Sequence, residues 1–452
     1  MALTPDTAPA TPVVPRSRIV IASMVGTSIE FFDFYIYATA AVLVFPTLFF
    51  PKGNDTAALL SSFATFGLAF VARPVGSMLF GHFGDRIGRK ATLVGSLMTM
   101  GVATFAIGLL PTFEAVGYWA PAMLALLRFC QGLGLGGEWS GAALLATETA
   151  EPGKRGWAAM WPQLGAPIGF FFANGTFLLL MLVMGFDAKS AAANHAFLSW
   201  GWRVPFLASA VIVVVGLYVR LKLTETPVFT QAVAEGKKVR TPLAEVVRTS
   251  WRQLVIGTFV MLATYTIFYV ATTWAASYGT GKVVDKSGVK LAISYVDFLQ
   301  IQLISVLFLA ACVPISGRLA DKYGRRPVLL AFTAGIIAFG LSFGWFLEPA
   351  TVDKTTMLLF LSLGMALMGL SFGPMSALLP ELFPTNVRYT GSGIAYNFAS
   401  IIGAAVAPFI ATWLVHDFGV GWVGVYLSFA GVLSFLALLA VRETRGVDLS
   451  SV

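Results

Sequence analysis

Two carboxylates stand in a stretch otherwise fit only for an apolar medium. Glu30 and Asp33 lie three residues apart within IEFFDFYIY at 29–37, with Tyr37 following, so a helix would put all three on one face. A second polar stripe runs through RFCQGLGLGGE at 128–138, where Arg128, Gln131 and Glu138 recur at helical spacing. Close carboxylates shielded from water do not both ionise readily, whereas a guanidinium keeps its charge in almost any protein setting. Such a set can exchange a proton against an anionic ligand. Glu30 and Asp33 are the candidate proton carriers, and Arg128, expected to face them across a central cavity, is the candidate anion anchor. The competing reading is a permanent ion pair that only fixes helix packing.

The surroundings decide how such residues are held. The chain has 452 residues, 57% hydrophobic and 12% charged, about half the ~25% charged share of a soluble domain. Its apolar residues gather into twelve windows, six from Ile19–Phe49 to Trp202–Leu221 and six from Val255–Ser277 to Val420–Val441. Each is long enough to cross a ~30 Å hydrocarbon core as a helix, and none shows the alternation of a barrel strand. A charge facing lipid at mid-depth costs about 2.5–3.5 kcal/mol on insertion scales, so Glu30, Asp33 and Arg128 must look inward. The expected fold is an all-α membrane protein of twelve transmembrane helices in two pseudo-symmetric six-helix bundles.

The net charge of +8 follows topology. Arg16, Arg18, Arg86, Arg89, Lys90, Lys154, Arg155, Arg325, Arg326 and Arg388 fall on the side of the N-terminus. The opposite loops hold Lys52, Lys189, Lys282, Lys286, Lys290 and Lys354, with Arg203 at the edge of a span. This bias places both termini in the cytoplasm of a cell-membrane protein and makes a nucleic-acid partner unnecessary. Residues 1–18 read as a disordered tail rather than a signal peptide. Cys130 and Cys312 read as small buried side chains, and His82, His195 and His416 have no second ligand at metal-site spacing, so no metal and no cofactor are expected. GLGLGGEWSG at 132–141 lacks the spacing of a phosphate loop; Gly132 and Gly136, four apart, instead let two helices approach closely. With no nucleotide-binding signature, a gradient must supply the energy. No nucleophile, base and orienter stand at usable spacing, so an enzyme is not expected.

The chain also repeats itself. GHFGDRIGRK at 81–90 matches GRLADKYGRR at 317–326, Glu148 and Arg155 match Glu381 and Arg388, and TET at 224–226 weakly matches RET at 442–444. The bundles are therefore assigned to 19–221 and 253–441, joined by a cytoplasmic linker at 222–252 and followed by a tail at 442–452. Asp85 is placed to meet a helix N-terminus of the other half, where the macrodipole favours negative charge, and Arg89 to pair with Glu148.

G-x-x-x-D-R-x-G-R-K, its second copy and the paired Glu–Arg spacings resemble the major facilitator superfamily over the whole chain. EFFDFYIY, ARPVG at 72–76, RFCQGLGLGGEWSGA at 128–142 and GWRVPFLAS at 201–209 are similar to its metabolite:proton symporters, carriers of small organic acids, shikimate, proline and betaine. The resemblance implies alternating access around a site near the membrane midplane. It gives Asp85, Arg89, Glu148 and Arg155, with Asp321, Arg325, Glu381 and Arg388 in the second half, a gating role. Tyr37, Gln131, Glu138, Trp161, Gln163, Tyr265, Tyr396 and Asn397 join Arg128 as candidate substrate contacts. Trp139, Asn174, Tyr269, Trp274, Gln300 and Gln302 are further polar or aromatic residues within spans, and Arg73 is a secondary cation. The expected partners are a small carboxylate or zwitterion, protons and membrane lipid, and a monomer is expected. A proton-antiport exporter is the alternative to uptake.

Overall fold

The computed structural model describes residues 16–87, 89–148, 150–151, 153–186, 191–221, 242–384 and 387–446. The N-terminal tail at 1–15, most of the linker at 222–241 and the last six residues lie outside them. All regular structure among the described residues is helical. Among the described residues nine segments are long and apolar enough to cross a membrane: Val20–Leu43, Asp55–Phe80, Arg155–Val183, Asn194–Tyr218, Trp251–Gly279, Tyr295–Tyr323, Lys354–Glu381, Arg388–Asp417 and Val420–Ala440. Arg89–Gly108, Trp119–Gly136 and Arg325–Leu341 complete the twelve-helix order.

The two halves pack by the same scheme. In the first, span 1 lies on span 5, span 2 on span 4 and span 3 on span 6; in the second, span 7 lies on span 11, span 8 on span 10 and span 9 on span 12. Across the junction span 5 meets spans 8 and 10, and span 11 meets span 2. Side-chain size explains the tightest of these contacts. A Cβ on Gly132 would run into the backbone of Ala69, and one on Gly136 into the Arg73 carbonyl and the Ser77 amide. In the second half Gly369 and Gly373 play the same part against the Leu309 and Val313 carbonyls. The glycine run in span 4 thus packs helices, and it fixes the turn of span 2 that carries Arg73.

Several spans are not regular throughout, span 6 among them, with a π-helical stretch at Phe197–Gly201. Pro162 sits within span 5, and spans 7 and 11 widen into π-helical turns at Val270–Trp274 and Ile401–Ala405. Such turns arise where a helix makes room for a neighbour. Spans 7 and 11 cross here, and Gly403 sits against the Leu262 carbonyl and Tyr265. The crossing aims Tyr265, Tyr269 and Tyr396 at the junction between the halves.

Gly136→Ala is expected to force spans 2 and 4 apart. It should destabilise the protein by roughly 1–3 kcal/mol, as other overpacking substitutions do, and is checked by the midpoint of thermal unfolding in detergent.

Candidate functional site: a closed central cavity and two end latches

A small cavity lies between the halves. It is lined by Phe31, Tyr35, Arg73 and Ala166 from the first half and by Met261, Thr264, Tyr265, Phe268, Tyr269, Met368, Phe372 and Tyr396 from the second. The centre of a water-sized sphere has about 20 Å³ in which to move, room for a water molecule or so. Its walls are largely aromatic: Tyr265 meets Tyr396 edge-on at 5.2 Å, and off the cavity Phe70 backs Tyr269 at 5.3 Å and Trp139 stacks on Tyr396 at 3.8 Å. Polar contacts between the halves hold these walls. Gln163 donates to the Phe372 carbonyl at 3.1 Å and accepts from the Trp139 indole at 3.1 Å. Asn397 donates to the Ser77 hydroxyl at 2.6 Å.

The buried charges of the first half lie around Phe34. The Arg73 guanidinium stands over the Phe34 and Phe70 rings at 4.7 and 4.8 Å. Arg128 stands over Tyr37 at 3.9 Å, Phe34 at 4.5 Å and Phe66 at 5.1 Å. Neither guanidinium has a carboxylate within ion-pair distance among the described residues. Arg128 donates to the Gln131 side-chain oxygen, while its Nε and Nη2 are buried without a hydrogen bond. Gln131 in turn donates to the Asp33 backbone carbonyl at 3.1 Å and to Thr104 at 2.9 Å. Asp33 is fully buried; Ser209 donates to one carboxylate oxygen at 3.4 Å, and the other, with Thr104 alongside, makes no geometric hydrogen bond.

The arrangement differs from the one expected from sequence. Arg128 does not line the cavity and does not face the carboxylates across an open space, because Gln131 knits its helix to span 1 and Phe34 stands over it. The arginine on the cavity is Arg73. Of the expected contacts, Tyr265 and Tyr396 line the space, while Trp139, Gln163 and Asn397 brace it. Tyr37, whose hydroxyl donates to Thr65 at 2.9 Å, belongs to the Arg128 cage. Glu30 is buried, and Glu138 accepts from Ser96 at 2.9 Å. Trp161 is half-buried beside Trp157 at 5.7 Å, Asn174 accepts from Thr39, Gln302 donates to the Thr272 carbonyl, Trp274 stacks on Tyr278, and Gln300 is exposed. Among the described residues no group of His, Cys, Asp and Glu is placed to hold a metal.

One end of the bundle is latched by charge on a helix start. Asp321 accepts from the Gly156 and Trp157 amides, each at 2.8 Å, at the first turn of span 5. Those amides have no partner within their own helix, and the macrodipole favours a carboxylate there. Gly156 and Gly317 make the approach possible, since a Cβ on either would press on the other strand of backbone or on Asp321. Arg325 sits 3.2 Å from Asp321 and 3.5 Å from Glu381, and Arg155 crosses from the first half to within 3.7 Å of Glu381. Arg388 is buried and donates to the Phe383 carbonyl at 3.1 Å. The side chains of Asp85, Arg89 and Glu148 lie outside the described residues.

A family model described as "Major Facilitator Superfamily" matches residues 23–404 and 296–449. The chain is 53% identical to the inner membrane metabolite transport protein YhjE of Escherichia coli, with 96% of each covered. The chain belongs to the major facilitator superfamily. It is also 32% identical to the shikimate transporter of Escherichia coli (95% of each) and 30% identical to the proline/betaine transporter of Salmonella typhimurium (94% of this chain, 83% of that protein). A partially occluded inward-open structure of the xylose transporter XylE from Escherichia coli shares the fold at TM-score 0.70 and 18% identity, with 96% of this chain and 99% of that one covered. The protein is thus a metabolite transporter of the superfamily, a carrier and not an enzyme.

Two parts of this major facilitator chain escape sequence reasoning. Glu443 accepts from the Arg325 and Arg326 amides at 2.9 and 3.0 Å and so caps span 9, while Thr444 donates to Glu381 at 2.5 Å; the RET/TET repeat was the available signal. At the other end of the bundle Lys282 donates to the Val42 carbonyl, at the C-terminal end of span 1, and the Tyr295 hydroxyl donates to the Thr39 carbonyl at 3.5 Å. Nothing in the local sequence marks Lys282. Burial pushes its ammonium down from the ordinary 10.5 to about 8, with Asp55 opposing the shift.

Asp321→Asn removes the charge from the span 5 cap, a loss of about 2 kcal/mol for charge-assisted bonds. The closed-to-open ratio at that end should fall roughly 30-fold, read as the distance distribution between spin labels at the exposed positions 154 and 322. At the Lys282 end the sign is set by protons. Below about pH 8 the lysine is charged whether that end is open or closed; between about 8 and the ordinary 10.5 the closed form binds fewer protons, so rising pH favours closure. Labels at 52 and 290 should report progressive closing over that window in the native chain and a flat response in Lys282→Met.

Proposed function

We propose that the protein imports a small organic acid or zwitterionic metabolite by proton-coupled symport, with the cavity between the halves opening alternately to each side. The observation that carries this reading is Asp33: a fully buried carboxylate on a membrane span, with no cation in ion-pair contact among the described residues and one oxygen without a hydrogen bond there. Taking up a proton removes an unpaired charge from the apolar interior, and giving it up restores one, so the proton is worth transferring only as part of a larger rearrangement. Glu30, one helical turn earlier on the same span, is the second candidate carrier. Coupling arises because Asp33 is tied through Gln131 to Arg128 and is the neighbour in sequence of Phe34, the ring over which both arginines stand.

The names of the relatives favour small metabolites as cargo, and the charge bias of the loops supports an orientation with both termini cytoplasmic. The Asp321 latch then closes the cytoplasmic end and the Lys282 contact the outer end. Arg155, Arg325 and Glu381 support the first of these as gating residues.

Asp33→Asn proteoliposomes should exchange cargo across the membrane in counterflow yet fail to concentrate it when an inward proton gradient is imposed. Gradient-driven accumulation at the native level in this variant would remove the coupling role. A substrate panel scored by thermal stabilisation supplies the cargo for the assay.

A further inference from the structure

The cavity's chemistry is one-sided. Of its twelve lining residues only Arg73 is charged, seven are aromatic, and none is acidic. Arg73 is 4% exposed, its Nε has no hydrogen bond, and no carboxylate lies within ion-pair distance of it among the described residues. Its position is fixed from two directions. Its backbone carbonyl is seated against Gly136, and its guanidinium is pressed over Phe34 and Phe70. The group is a cation held in place and turned to a space that contains no neutralising side chain.

We propose that Arg73, rather than Arg128, receives the carboxylate of the cargo, and that the cargo is a monocarboxylate with an uncharged, ring-shaped or otherwise compact body. This rests on the carrier reading above for the identity of the site. A guanidinium presents parallel N–H donors that match a carboxylate in two-point contact. A second carboxylate on the cargo would be buried with no second cation to meet it, and an ammonium would share a small dry space with the Arg73 charge, with no acid on the lining to offset their repulsion. The tyrosines and phenylalanines of the second half supply flat, apolar walls with hydroxyls at their edges, which suit an uncharged ring. Arg128 is excluded as the anchor by position: it lies off the cavity, with Phe34 and Tyr37 over its guanidinium and Gln131 on its Nη1.

The test uses the full-length purified protein and matched probes: cyclohexanecarboxylate, shikimate, the methyl ester of each, cyclohexane-1,4-dicarboxylate and glycine betaine. Thermal unfolding should shift upward with at least one ring monocarboxylate and not with its ester, the dicarboxylate or betaine. Arg73→Gln should weaken the responding acid at least 10-fold and abolish the preference for acid over ester; Arg73→Lys should keep the preference at reduced affinity. In the native chain the same acid should protect residue 73, mapped by mass spectrometry, from phenylglyoxal, which gives a reading even where the variants do not fold. Equal response to acid and ester, a response confined to the dicarboxylate or betaine, no response to any monocarboxylate, or no protection of residue 73 overturns the proposal. The two readings separate cleanly. Proton-driven accumulation retained in Arg73→Gln discards the anchor and leaves symport standing, whereas acid-selective stabilisation without accumulation in the native protein does the reverse.

Discussion

A guanidinium inside a membrane-spanning bundle cannot shed its charge, so the fold must surround it with something better than hydrocarbon. This protein does so twice within the first bundle, and with the same ring. Arg73 and Arg128 both lie within 5 Å of the Phe34 centroid, and each has further aromatic faces around it. Attraction of a cation to an aromatic face is stronger when water is excluded, yet it leaves the charge itself in place. The first bundle therefore holds two buried guanidinium charges with no ion-paired carboxylate among the described residues, and its helix contacts serve that arrangement. Gly132 and Gly136 bring span 4 onto span 2, and Gln131 draws span 4 onto span 1 at the residue beside Phe34.

The two ends of the bundle use the other electrostatic resource available in lipid, the free polar groups at helix termini. A carboxylate of the second half, Asp321, sits on the amides that begin span 5; an ammonium of the second half, Lys282, sits on a carbonyl near the end of span 1. Each contact crosses between halves and uses the sign that the local helix end prefers. Backbone groups that must be satisfied in any case become the fastening points, so opening one end exposes them to water and not to lipid. Both contacts are made in the same structure, which accounts for how small the central cavity is.

Duplication supplies the frame, and divergence supplies the chemistry. The halves share their order of helix packing and the glycines that close spans 2 on 4 and 8 on 10. The charged residue on the cavity, Arg73, comes from the first half, as do Asp33 and Arg128, buried off it, whereas the second half lines the cavity with tyrosines, methionines, phenylalanines and a threonine. A repeat fixes backbone geometry because packing volume is inherited with it. Charges placed on one copy alone make the pair asymmetric.

The amino-acid sequence determined, by itself, that the chain is a twelve-span helical membrane protein built from a duplicated unit, because bilayer thickness and backbone hydrogen bonding leave few other ways to house such long apolar windows. Helical spacing also singled out Glu30, Asp33 and Arg128 as residues that must look inward, since lipid would not tolerate them. Which way inward was beyond it. Arg73 and Arg128 are both arginines on apolar helices, and only the rotation of spans 2 and 4 about their glycine contact turns one toward the cavity and leaves the other caged by aromatic rings. Lys282 in its loop carries no pattern either; its meaning comes from lying against a helix end some 240 residues earlier. A periodic pattern reports one helix's own faces, while the partner each face meets is set by packing between distant segments, and that is information only the tertiary structure holds.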